Sequence, residues 1–164
     1  MEWSLFMDTM SFEDAIQKMG HLLYRNKGYS MLPLLRQNQD AIMIERCDPF
    51  HLQKYEVILF KRPDDRKGKY VLHRILRRRR DGTYWVVGDN CTSGEIVRPE
   101  QIVGRMSAVG RNGKTYETTS EEYQSYVRFW CAHWPIRIAL LNLVYVMTRI
   151  REKTGRKSQY ATHS

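Results

Sequence analysis

Apolar and polar positions alternate in a regular way along most of this chain, and the period of that alternation changes twice. Phe12, Ile16, Met19 and Leu23 recur at helical spacing behind Ser11, an N-cap with Asp14 three positions on. This pattern predicts an amphipathic helix over about residues 12–25, closed by Gly28. From there to residue 118 the period is that of strands. Residues 40–45, 56–60, 70–76 and 83–87 read as strands, 99–106 as a segment that turns into a fifth, and 114–117 as a returning one. The run Glu56-Val57-Ile58-Leu59-Phe60 is nearly continuous in apolar character, which predicts burial on both faces. Asp81-Gly82 and Asn112-Gly113 are hairpin turns by their chemistry. Beyond Ser120 the pattern becomes helical again, with Pro135 expected to divide it into two helices. Six or so short strands with tight turns predict a mainly β fold: a small, mostly antiparallel coiled sheet or barrel. It carries an N-terminal helix and a C-terminal helical appendage. The expected divisions are 1–27, a β domain over 28–118, a helical segment over 119–154 and a disordered polar tail over 155–164.

Three blocks punctuate the β region. Gly28-Tyr29-Ser30-Met31-Leu32-Pro33 comes first, then the strand Val71-Leu72-His73-Arg74-Ile75, then Val86-Val87-Gly88-Asp89-Asn90. A serine hydroxyl needs a base to take its proton, and a base needs an acceptor to hold its tautomer. His73 is suited, because imidazole titrates near neutrality. In strand alternation it shares a face with Val71 and Ile75, while Leu72 and Arg74 point the other way. Asp89 is the first candidate for that acceptor, and a plain Ser–His dyad with no acid against the imidazole stays open. Asp89 also has an ordinary role open to it as a turn residue bonded to its own backbone. Backbone N–H groups at the Ser30 turn would form the oxyanion hole, with Met31 a packed anchor and Pro33 a breaker of regular structure.

In this order the three blocks resemble the signal peptidase I superfamily, which includes the self-cleaving repressor peptidases. The resemblance covers roughly residues 25–110. It is similar to the endoplasmic-reticulum and archaeal branch, which places His rather than Lys at the base position. The resemblance implies the family's β fold, serine endopeptidase activity from Ser30 and His73 with Asp89 or Glu95, and small residues beside the scissile bond. A peptide substrate would be bound as an added strand. The chain departs from the family in reading Gln39-Asp40 where Gly-Asp is usual, and Cys91-Thr92-Ser93-Gly94-Glu95 where an Asp-rich stretch is usual. The other reading of the same blocks is a peptide-binding or regulatory module that keeps the fold without catalysis. A DNA-binding repressor is set aside, because about 28 residues before the Ser30 block are too few for a helix-turn-helix domain.

Composition narrows the partners. The net charge is +9, concentrated in Arg77–Arg80 and in the C-terminal cations Arg149, Arg151, Lys153, Arg156 and Lys157. The first run precedes a hairpin and is read as a solvated tip. No aromatic interleaving accompanies it, so nucleic acid is not expected as a partner. Cys47, Cys91 and Cys131 form no Cys-x-x-Cys, and His21, His51, His133 and His163 have no ligand spacing, so no metal or cofactor is expected. Residues 1–10 lack a signal-peptide core, and no segment reaches the ~18 apolar residues of a spanning helix. The expectation is a cytoplasmic protein with reduced thiols. Its apolar segment Tyr126–Arg151 suits either an interfacial helix on a membrane or one packed on the barrel or on a second copy.

Overall fold

The computed structural model describes residues 11–25, 27–63 and 70–160. The lead-in before Ser11 and the last four residues lie outside them.

The first helix, α1 (Phe12–Met19), begins as the sequence predicts: the Ser11 hydroxyl accepts from the Asp14 N–H at 3.1 Å. It ends six residues early. Gly20 takes the left-handed conformation at φ 76° and its N–H donates to the Ile16 carbonyl, which closes the last turn. The chain then reverses into β1 (His21–Arg25), paired with β2 (Ala41–Glu45) along its whole length. Leu23 fits the helical spacing, yet it faces solvent while Leu22 is buried. Gly28 therefore lies in a loop, and Gly20 takes the capping place expected of it.

The remaining strands are β3 (Val57–Lys61), β4 (Tyr70–Arg78), β5 (Tyr84–Val87), β6 (Gly94–Val97), β7 (Ile102–Arg111) and β8 (Lys114–Glu117). All eight join one sheet in the order β1-β2-β7-β3-β4-β5-β6, with β8 added on β7, and every pairing is antiparallel. The sheet is mainly antiparallel, as expected, but it is not closed: β1 and β6 end the path. β1 and β6 are the strands the periodicity did not predict. Register shifts at Met43/Ile44, Leu59/Phe60 and Ile75/Arg77 interrupt three ladders and bend the sheet. Both expected hairpins form, with positive φ at Gly82, Asn112 and Gly113.

Because the sheet bends, it buries both faces. β3 divides by parity: Val57 and Leu59 join one core, Ile58 and Phe60 the other. The first core collects α1, the post-Ser30 residues Met31, Leu34 and Leu35, and the C-terminal residues Tyr123, Val127 and Cys131. The second lies among Leu52, Ile75, Tyr84, Val86 and Val97. Asp40, wholly buried, fixes the long loop between β1 and β2. It accepts from Arg36 (2.9 Å) and from Arg111 of β7 (2.6 Å).

The C-terminal helices are α2 (Glu121–Ala132), capped by Ser120, and α3 (Trp134–Tyr160). They meet at His133, and Pro135 falls in the first turn of α3, where its missing N–H is harmless. The break is as expected. The tail is not: the helix continues through Tyr160, past residue 155.

Candidate functional site

Ser30 sits in a tight turn that packs inward immediately after it. The Leu32 N–H donates to the Tyr29 carbonyl and the Leu35 N–H to the Met31 carbonyl, and both Met31 and Leu35 are fully buried. Met31 is thus the anchor the sequence suggested. The Leu32–Pro33 peptide is cis. Ser30 itself is half-buried, beside the exposed Tyr29.

The turn after β5, Gly88-Asp89-Asn90, docks on this loop. The Asn90 N–H donates to the Ser30 carbonyl at 2.7 Å, and the Asn90 amide reaches the Tyr29 carbonyl at 3.3 Å. Gly88 is needed for the approach. A Cβ there would stand 2.6 Å from the Ser30 carbonyl oxygen, 2.7 Å from Cys91 Sγ and 3.1 Å from His73 Nε2. The Ser30 backbone and the imidazole Nε2 therefore converge on one point, left open by a missing side chain. Among the described residues no hydrogen bond joins the Ser30 hydroxyl to His73.

His73 is buried on β4, on the face of Val71 and Ile75, with its ring centroid 6.0 Å from that of Phe60. Its Nδ1 faces Glu95 Oε1 at 3.3 Å, an ion-pair distance whose angle falls short of a hydrogen bond. Glu95 reaches it because Ile75, Val86 and Glu95 form one row across β4, β5 and β6. Arg62 grips the Glu95 carboxylate with two bonds, Nε to Oε2 at 2.8 Å and Nη2 to Oε1 at 2.6 Å.

The charges follow from this packing. Burial pushes the His73 pKa below its ordinary value; the Glu95 carboxylate opposes that shift and the Arg62 guanidinium adds to it. The imidazole is therefore neutral near pH 7 and free to accept a proton. Burial alone would raise the Glu95 pKa, but the bonds and charge of Arg62, then the neighbouring His73, bring it below the usual carboxylate range. Burial also raises the Cys91 thiol, so the sulfur beside Gly88 stays protonated and is a poor nucleophile.

Asp89, the other sequence candidate for the third member, is turned away from His73. Arg74 binds it through two bonds (Nε to Oδ1, 2.8 Å; Nη2 to Oδ2, 2.7 Å), and the Tyr126 hydroxyl donates to Oδ2 at 2.9 Å. The indole of Trp130 donates to its carbonyl at 3.1 Å. Arg74 completes the cluster by donating to the Tyr55 carbonyl and the Tyr123 hydroxyl. Asp89 thus ties the turn beside Ser30 to α2. It supports the site without touching the imidazole. Arg62, Arg74, Tyr126 and Trp130 were not singled out from the sequence as site residues. Only strand alternation placed Arg74 opposite His73, and nothing local marks the other three.

A cavity of about 680 Å³ opens along the β6 edge beside Glu95, lined by Arg62, Thr83, Glu95, Ile96, Arg98 and Gln101. Among the described residues no three His, Cys, Asp or Glu side chains gather as a metal site. No family model, curated protein or solved structure matches this chain.

Proposed function

We propose that this protein is a serine endopeptidase of the signal-peptidase-like kind, cleaving a peptide segment laid as an extra strand along the sheet edge. One observation carries the reading: His73 has Glu95 at one ring nitrogen and the Ser30 loop, across Gly88, at the other. In this scheme Ser30 is the nucleophile and His73 takes its proton. Glu95, steadied by Arg62, holds the Nδ1–H tautomer and offsets the imidazolium that forms. The Ser30 N–H is the nearest candidate for the oxyanion. An empty site is commonly looser than a loaded one, and a bound peptide backbone would close the remaining gap between Ser30 and His73. The exposed β6 edge and its cavity offer the place for that peptide.

A second reading, a peptide-binding module without catalysis, is favoured by one observation, the unmade hydrogen bond between Ser30 and His73. Incubating the purified full chain with a complex peptide library and reading new termini by mass spectrometry separates the two. Cleavage that disappears in both Ser30→Ala and His73→Ala supports the peptidase. Cleavage that survives Ser30→Ala refutes it. Peptides retained equally by wild type and Ser30→Ala, with no new termini, establish the binding module.

A further inference from the structure

We infer that α3 docks in the interface of an anionic lipid bilayer, a conclusion independent of the reading of the Ser30 site. Ile136, Leu140, Leu143, Val144 and Met147 are each more than half exposed. At ~100° per residue they fall within an arc of about 100°, so they form one continuous apolar stripe along the helix. Exposed apolar surface of this extent on a folded chain marks an interaction site. The stripe has a cationic end. In sequence a basic stretch follows it, Arg149, Arg151, Lys153, Arg156 and Lys157, interrupted by the single acid Glu152. At the other end Trp130 and Trp134 hold Arg137 between them, with the guanidinium 4.7 Å and 4.5 Å from their ring centroids.

Charge selects the occupant. Two copies packed in parallel would set this basic stretch, five cations to one acid, against its own image. Packed antiparallel, the basic stretch would lie against the Trp134 end, and the sequence from Tyr123 to Arg151 holds no acid to receive it. An anionic bilayer takes both features at once: acyl chains receive the stripe, phosphates the cations, and the headgroup level the tryptophans. Length argues against a crossing by α3 alone. The uncharged run Ile138–Thr148 covers about 16 Å, roughly half of a bilayer core. No single helix among the described residues is long and apolar enough to span; α2 and α3 pass that test only together, across a 63° bend. Since α2 leads directly into α3 and bonds to Asp89 through Tyr126 and Trp130, lipid docking would also set which side of the Ser30–His73 region faces the membrane.

The test is sedimentation of the full chain with vesicles of phosphatidylcholine alone and of phosphatidylcholine mixed with phosphatidylglycerol. Binding to the mixed vesicles should be about tenfold tighter and should weaken with salt. The doubly substituted Leu140→Asp/Leu143→Asp should weaken it by about tenfold or more, and Arg149→Gln/Arg151→Gln by about fivefold for each cation removed. Leu140, Leu143 and Arg149 are exposed, and unchanged melting of the variants shows that the fold is intact. Equal binding to the two vesicle types, or variants that bind as wild type does, would overturn the inference. So would a dimer that Leu140→Asp dissolves without any vesicle binding, which would assign the stripe to a second copy. Protein that resists carbonate extraction from native membranes would show a spanning anchor instead.

Discussion

Replacing Gly88 by Ala adds one methyl group at the point where Ser30 and His73 converge. The backbone conformation does not forbid it, because Gly88 is not among the glycines with positive φ. The obstacle is space. The new Cβ would sit 2.6 Å from the Ser30 carbonyl oxygen, where an unstrained carbon–oxygen contact is ~3.4 Å. The carbonyl belongs to the backbone and is held by Asn90, so it cannot swing aside as a side chain would. The turn and the Ser30 loop must part by about 0.8 Å, and overpacking of this kind costs about 1–3 kcal/mol. In a chain of this length that lowers the melting temperature by roughly 2–12 °C. If His73 serves Ser30, a displacement near 1 Å also lowers kcat/KM, by up to ~100-fold. Thermal melting and cleavage of a peptide found in the library screen measure the two effects separately. Adding Cys91→Ala removes the 2.7 Å contact with Sγ but leaves the carbonyl in place, so only part of either loss should return. Unchanged melting and cleavage in Gly88→Ala would refute the convergence. Full recovery with Cys91→Ala would place the crowding at the thiol and leave Ser30 out of it.

Three further outcomes follow from the same contacts. Glu95→Gln should slow cleavage by roughly tens- to thousands-fold with little change in urea unfolding, whereas Asp89→Ala, which strands the buried Arg74 charge, should cost about 3–5 kcal/mol of stability. The reverse pattern would exchange their roles. Arg62→Gln removes a cation that lowers both the His73 and the Glu95 pKa, so the acidic limb of the kcat/KM–pH profile should move to higher pH, since a general base fails once it is protonated. A stationary limb would sink the assignment of His73 as that base. Burial opposes ionisation of Asp40, but Arg111 and Arg36 bring its pKa down to about 2, so its contribution is present above the unfolded value and is lost as pH falls through the folded one. The stability gap between wild type and Asp40→Asn should be about 2 kcal/mol or more at neutral pH and close between pH ~4 and ~2; a gap independent of pH would contradict this ionic role.

Much of the architecture was written locally. β2, β3, β4, β5, β7 and β8 follow from apolar periodicity, their hairpins from Asp81-Gly82 and Asn112-Gly113, and the starts of α1 and α2 from Ser11 and Ser120. These signals act between near neighbours, so the sequence expresses them directly. β1 was hidden because Leu23 satisfies a helical spacing that Gly20 has already ended. β6 was hidden because Gly94-Glu95-Ile96-Val97 sets two adjacent apolar residues after a glycine and an acid, with no alternation and no turn signal to mark a strand. The order β1-β2-β7-β3-β4-β5-β6 and its open edges came only with the tertiary structure, which alone shows that Glu95, and not Asp89, lies against the imidazole. Asp89 is the nearer acid along the chain, but the parity of β4 sends Arg74 to meet it on the face opposite His73. Glu95 reaches the imidazole because two antiparallel pairings place it on the His73 face two strands away. Residue types and turn chemistry are properties of the chain, whereas which buried charge meets which partner is decided by strand order and register.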